Sequence, residues 1–394
     1  MNLTASAVSG PRCNLCGQLF AEPIYRSPQS TSLTTGGLLV PEPTEVYFCS
    51  ACAHVHTRPI LDLDRYYDQD YNINLHSAEE DDLYAWTAAR TIYRSEHQAE
   101  TLLNQLPLVP GAAVLDYGCG KATSSRRLLQ ARPDLRVHLF DVSDNYRPFW
   151  SGIGAEADWA TYRMPAAWQG RFDAIYSFFV LEHVTAVPDI LAELAQALKP
   201  AGLLYVLVPN LFRNTGDLLV VDHVNHFTRR SAAVALHRAG LALVAVDEES
   251  HSNALILTAR RGAIRLDAGP PAEVDVLHCQ VQALSEGWLR MQREILAFEA
   301  NAQGRVAGVI YGSGFYGCLI AATLKDRSRI GALLDQNPHR QGQRRLGLPV
   351  VAPDGIPPGT DHAYIGLNPA TAPAELDQVR ARLGRVSEVF TFPK

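Results

Sequence analysis

No apolar run in the sequence approaches the ~18 residues that a membrane-spanning helix needs, and neither an internal repeat nor a low-complexity tract interrupts it. Membrane partners are therefore not expected. The opening stretch MNLTASAVSGPRCN has no charged n-region and no apolar h-region, so a secretory leader is not expected and a cytoplasmic location is. A basic excess is missing too: 35 Lys and Arg stand against 41 Asp and Glu, for a net charge of −6 and a pI near 6.1. That balance leaves no electrostatic footprint for nucleic acid and points to a small-molecule partner, with room for a local basic pocket around a phosphate. Charged residues make up only 19% of the chain against 47% hydrophobic, which excludes disorder. Cysteine is sparse, at seven in 394 residues, so a disulfide scaffold is excluded and any clustering of thiols points to metal or reactivity. A chain of this length exceeds one ordinary core, and three units are expected.

Four of the cysteines do cluster. Cys13-x2-Cys16 and Cys49-x2-Cys52 are separated by 32 residues with a Gly/Thr/Pro-rich middle. Paired thiolates at this spacing aim at one ion and complete the closed tetrahedron of a structural zinc site, with His54 and His56 as alternative ligands. Residues 1–65 therefore read as a zinc-ribbon-like module. Residues 66–262 follow as a second unit, opening with an aromatic and acidic stretch and a helical pattern from about Asp81 to Leu106 that ends at Pro110-Gly111.

From Ala112 onward short apolar strands alternate with helical pattern: AAVLDY, SSRRLLQAR, VHLFDV, DAIYSFF, PDILAELAQAL, GLLYVLVP and SAAVALHRAG. Alternation of this kind implies an α/β, Rossmann-like parallel sheet wrapped by helices. LALVAVD and ALILTARR, separated only by residues 248–253, read as a hairpin placing one antiparallel strand at the sheet edge. Residues 263–394 form the third expected unit. It has Asp/Gly/Pro punctuation at 267–271, a long helix to about Ala302, and a C-terminal Rossmann-like α/β domain that begins at VAGVIYGSGFYG.

Within VLDYGCGKA, the first strand delivers Asp116 to its carboxyl end, Gly118 and Gly120 let backbone approach a ligand, and the following helix aims its positive end at that spot. Ala122 takes the place of the pattern's third glycine. Asp141, at the end of the next strand and about 20 residues on, suits the hydroxyls of a ribose. Asp158 and Trp159 fall where a third strand is expected to end, within reach of an adenine. Glu182 and His183 close the fourth strand at the mouth of the same cleft. His223 and His226 lie in VDHVNHFT, where a substrate-facing loop belongs. Gly312-x-Gly314-x-x-Gly317, with Asp335 about 20 residues further, has the form of a dinucleotide turn, although no hydride-transfer constellation lies near it.

DYGCG, LFD, FFVLEHV and LKPAGLLYVLVPN, in this order and at these intervals, make the run from Ala112 to about Arg261 resemble class I S-adenosylmethionine (SAM)-dependent methyltransferases. The closing strand hairpin is typical of that class. The order zinc ribbon, SAM domain and Rossmann-like domain further resembles the sugar C-methyltransferases that modify nucleotide-linked keto-deoxysugars. Tyr66-Tyr67-Asp68 through Tyr71, Asp335-Gln336-Asn337-Pro338 and Gln341-Gly342 add to the likeness. The resemblance implies SAM as cofactor, held by Asp116, Gly118, Gly120, Asp141 and a tyrosine such as Tyr71 ahead of the domain. It implies a Glu-His pair, present as Glu182-His183, and a later Tyr-x-Glu-His group. That group is altered here: Asp222-His223 stands for Glu-His, and Val220 occupies the tyrosine position.

On this reading His223 is the base that removes a proton beside a ketone, Asp222 sets its orientation, and His183 helps hold the substrate oxygen, with Glu182 and His226 contacting substrate. The same imidazoles suit a hydroxyl or amine acceptor. Two rival classes remain: an NAD(P)-dependent oxidoreductase centred on GSGFYG, and a catalytically silent binding protein whose zinc module recruits a partner.

Overall fold

The computed structural model describes residues 11–71, 77, 79–86, 90–262, 271–302, 307–370, 376–384 and 386–392. Its central sheet starts at β1, Ala113–Tyr117, a strand buried along its whole length as one covered by helices on both faces must be. β2 is Arg136–Asp141, β3 Trp159–Thr161, β4 Phe172–Phe178, β5 Leu198–Pro209, β6 Leu241–Asp247 and β7 Ala254–Arg261. Their spatial order is β3-β2-β1-β4-β5-β7-β6. The first five run parallel, and β7 is antiparallel to both β5 and β6. The antiparallel strand expected at the edge is therefore interior, and β6 is the edge. A short turn fixes that β6 and β7 pair, but burial decides which of them meets β5. ALILTARR is buried over its first four residues, whereas β6 exposes Val244 and Ala245.

The N-terminal segment forms a small antiparallel sheet from Tyr25–Arg26, Glu45–Phe48 and Val55–Thr57. A fourth strand, Asn225–His226, comes from the loop between β5 and β6 and pairs Asn225 with His56 and His226 with Val55. The helix expected from about Asp81 starts later, at Arg94, and runs to Gln105. Before it, Leu83–Trp86 and Thr91–Tyr93 form a hairpin, because the aromatic and β-branched residues of LYAW and TIY favour extended backbone over helix. Tyr66–Asp70 forms one turn of π-helix.

The expected boundary at 267–271 falls almost wholly outside the described residues. Pro271–Asn301 is one 31-residue helix leading to a six-stranded C-terminal sheet. That sheet is parallel except for the edge pair Arg344–Arg345 and Leu348–Val351. One buried cluster joins Tyr25, Leu33 and Val46 of the N-terminal segment to Leu211 and Leu218 of the central loop and to Trp288 and Tyr316 beyond. The three segments thus share apolar surface, which fixes the walls of a cavity between them. Among the described residues no helix is long and apolar enough to cross a membrane.

Candidate active site

A cavity of about 1080 Å³ opens at the carboxyl ends of β1, β2 and β4, where ligands of open α/β sheets bind. All three segments line it: Thr35 and Gly36, then the turn after β1, then Gly314, Phe315 and Arg340.

At the glycine turn, Gly118 has φ +77°, and a Cβ there would stand 2.3 Å from Val180 Cγ2, so the position tolerates only glycine. Gly120 N donates to Asp141 Oδ2 at 2.8 Å, and Ser143 N to Asp141 Oδ1 at 3.2 Å. Asp116 Oδ2 accepts from Ser125 Oγ at 2.6 Å. Burial pushes Asp116 up to about 7 and Asp141 up to about 6, because both carboxyls leave water without a cation beside them. Lys121 Nζ donates to the carbonyls of Ser77 and Glu80, each at 2.7 Å, pinning the lead-in segment to the turn. Tyr71 lines the same end, its ring edge-on to Tyr67 and His183.

Asp158 and Trp159 do not line the cavity. They sit at the start of β3, not its end, since Trp159 pairs with Leu139 and Thr161 with Asp141. Asp158 is taken up by His138 Nε2 at 3.1 Å and Arg171 at 3.4 Å, and Trp159 Nε1 donates to Ile153 O at 2.7 Å. The residue at the carboxyl end of β3 that does reach the cavity is Tyr162.

At the other end Glu182, His183 and His223 meet on one wall. Sequence reading missed the group that organises them. His223 Nδ1 donates to Asp217 Oδ1 at 2.5 Å and His226 Nδ1 donates to Asp217 Oδ2 at 2.7 Å, so one fully buried carboxylate holds two imidazoles. Asp222, the expected orienting acid, points elsewhere. Its Oδ1 accepts from Thr35 N at 2.7 Å and its Oδ2 from Tyr66 Oη at 3.2 Å, because neighbouring side chains leave the backbone in different directions. His226 is wholly buried and bonded through Nε2 to Thr57 Oγ1 at 2.7 Å, away from the cavity, so direct contact with substrate is not available to it.

Tyr67 Oη donates to Asp222 O at 2.8 Å and lies 2.7 Å from His183 Nδ1. Its single proton is thereby used, so His183 carries its proton on Nδ1 and presents Nε2 as a lone pair. Burial, with the nearby His223 charge, pushes His183 down to about 4 and keeps it neutral. Burial also opposes a charged His223, but the Asp217 carboxylate overcomes it and lifts His223 to about 9. Burial pushes Glu182 up to about 8.

The four cysteines converge, with Cys13 Sγ 3.6 Å from Cys52 Sγ and Cys16 Sγ 3.4 Å from Cys49 Sγ. All four sulfurs lie within 4.8 Å of one another. A tetrahedron of ~2.3 Å metal–sulfur bonds has edges of about 3.8 Å, so the set fits a zinc ion. His54 is outside it, its Nε2 3.1 Å from Asn225 Oδ1, and His56 stacks on Phe20.

In the C-terminal domain, Asp335 Oδ2 accepts from Ser313 N at 2.9 Å and Ser313 Oγ at 2.5 Å, and its Oδ1 from Asn337 N at 2.8 Å. Asp335 thus closes its turn as Asp141 closes the one after β1, with the Ser313 hydroxyl as one further donor. A Cβ on Gly317 would meet Gly312 O at 1.9 Å, so that glycine serves helix–strand packing.

Residues 91–246 match the family model of a methyltransferase domain. The matched residues include the glycine turn, Glu182-His183 and His223. Similar solved structures include an S-adenosylmethionine dependent methyltransferase from Mesorhizobium loti, at 20% identity over 42% of this chain and 98% of that one, TM-score 0.36. The mitomycin 7-O-methyltransferase MmcR matches at 21% identity over 43% of this chain and 53% of its own, TM-score 0.35. The CurJ carbon methyltransferase matches at 16% over 43% and 54%, TM-score 0.35. No curated protein matches the chain.

Proposed function

We propose that the chain is a SAM-dependent C-methyltransferase of a small activated metabolite, with a nucleotide-linked keto-deoxysugar as the leading substrate. The observation that carries this reading is the Asp217–His223 pair on the wall of the same cavity as the glycine turn. SAM, when bound, supplies an electrophilic methyl group; Gly118, Gly120, Asp141 and Tyr71 are the residues that would hold it.

His223, raised in basicity by Asp217, takes the proton from the carbon beside a ketone, and the Asp217 carboxylate stabilises the imidazolium that results. His183, neutral and clamped by Tyr67, presents its Nε2 lone pair to the cavity, where it accepts from a substrate hydroxyl. With its proton on Nδ1 it has no donor for the ketone oxygen, so the expected role of holding that oxygen does not fit this tautomer. The phenols of Tyr66 and Tyr67 surround Asp222, supplying hydroxyls near the place where Val220 has none. Arg345, with the helix start at Gly314–Phe315, lines the cavity and suits a diphosphate, whereas Arg340 beside it is already paired with Asp82 at 2.7 Å and Asp335 at 3.6 Å. Cys13, Cys16, Cys49 and Cys52 would hold an architectural zinc ion, since a closed thiolate set leaves no position for substrate.

Calorimetry with SAM and its demethylated product, followed by turnover on a panel of nucleotide-linked keto sugars, tests the reading. His223→Asn is expected to keep SAM affinity and lose turnover by roughly 10²–10⁴-fold. No binding of either cofactor form to the folded chain would overturn it. Tight NADH binding would instead favour the oxidoreductase reading.

A further inference from the structure

The wall that carries the base brings one potential ligand atom from each of Glu182, His183 and His223 together. Glu182 is buried to 1% exposure, and its Oε2 has no hydrogen-bond partner. Such an atom is costly to leave alone. His183 Nε2 is a lone pair by the proton count at Tyr67. His223 Nε2 meets the Thr35 hydroxyl at 2.9 Å, and that hydroxyl has an alternative acceptor in Asp222 Oδ1 at 3.3 Å. One ligand atom from each of the three residues lies within 4.8 Å of the others, and all three residues line the cavity.

Their surroundings have the form of a metal site's outer shell. A ligating histidine ordinarily donates its second ring N–H to a carboxylate or carbonyl, which fixes tautomer and orientation. His223 does so to Asp217, and His183 Nδ1 lies 2.7 Å from Tyr67 Oη and 3.1 Å from Asp222 O. Two imidazoles and one carboxylate with open positions suit a divalent transition metal better than magnesium or calcium, which take all-oxygen shells.

We propose that Glu182, His183 and His223 form a second metal site, separate from the cysteine cluster, for a divalent ion of the zinc, cobalt or nickel kind, and that an ion seated there silences the base. On binding, the ion displaces the Nε2 proton of His223 to solvent and occupies the electron pair that otherwise receives the substrate proton, so metal occupancy and proton abstraction exclude each other. Binding follows from the geometry alone; the silencing rests on His223 being the base.

The experiment is a Co²⁺ titration of the full chain with its cysteine cluster already filled with zinc, read by visible absorption and by anomalous scattering from cobalt-soaked crystals. One further equivalent is expected, with d–d bands, no thiolate charge-transfer band, and an anomalous peak among the three side chains. Affinity is expected to fall roughly tenfold or more in Glu182→Gln, His183→Asn and His223→Asn. Turnover is expected to fall in step with occupancy and to return when a chelator too weak to strip zinc from the four cysteines removes the cobalt. Absence of the extra equivalent, or a peak elsewhere in wild-type crystals, overturns the site without recourse to any variant. Cobalt bound there with turnover undiminished overturns the silencing and removes His223 as base. Failure of SAM binding would sink the methyltransferase reading and leave the cobalt result standing.

Discussion

A buried carboxylate that accepts from two imidazoles at once is held ionised, and His223 is in turn held protonated until about pH 9. Activity that needs the neutral imidazole should therefore rise with pH, its limb in kcat/KM lying near 9 for the free protein. Asp217→Asn removes the charge that favours imidazolium, so the limb should move to lower pH while the plateau falls, because the base is weaker and less well aimed. A limb that stays in place would exclude Asp217 from that role. The sequence shows both histidines but hides their partner. Asp222 is the nearer acid in the chain, yet its carboxylate turns to Thr35 and Tyr66, and the organising acid lies six residues back in an unremarked GDLL. Gly118, by contrast, was legible as a glycine position, and its +77° φ and the Val180 side chain beside it are what require one. Gly118→Ala should destabilise the fold by about 1–3 kcal/mol and weaken SAM binding. Adding Val180→Ala should recover the steric part of that loss and leave the cost of the +77° φ. Calorimetric melting of both variants separates the two.

Among elements, the strands were readable because strands buried on two faces show unbroken apolar runs, as β5 does from Leu203 to Val208. Register and order were less so. β3 begins where its end was expected, since a three-residue strand offers no periodicity to place it, and Asp158 and Trp159 went with the error. The strand Asn225–His226 carries no strand-like pattern at all; only its partner Val55–Thr57 makes it one. Asn225 Nδ2 donates to Leu181 O at 2.8 Å and Val184 O at 2.6 Å, while Asn14 Nδ2 donates to its Oδ1 at 2.6 Å. This amide ties the Glu182-His183 turn to the N-terminal sheet. Asn225→Ala should cost about 1–3 kcal/mol in urea unfolding for the carbonyls left unpaired. It should also lower kcat with SAM affinity retained; a change in neither would mean that the turn is held by other contacts.

For the whole molecule, the cavity exists only where the three segments meet. Thr35 and Thr57 belong to the cysteine-bearing segment, yet they touch His223 and His226. On the proposed reading, stripping zinc from the four cysteines with a strong chelator should lower Tm and abolish turnover, while calorimetric SAM uptake, assigned to the turn after β1, persists. Equal loss of both would mean that the cysteine segment supports the central sheet as a whole. No motif in the sequence announces this wiring, because each contact spans 150 residues or more of chain and leaves no local pattern.

The borrowed strand also sets a timetable for synthesis. Val55–Thr57 leaves the ribosome long before Asn225 is made, and at about 5–20 residues per second the interval is roughly 8–34 s. An N-terminal sheet formed within that interval would have a bare flank of unpaired peptide groups, open to strand addition by a neighbouring nascent chain. Metal capture by the thiols in that window, or a chaperone covering the flank, would guard the unfinished sheet until its own last strand arrives.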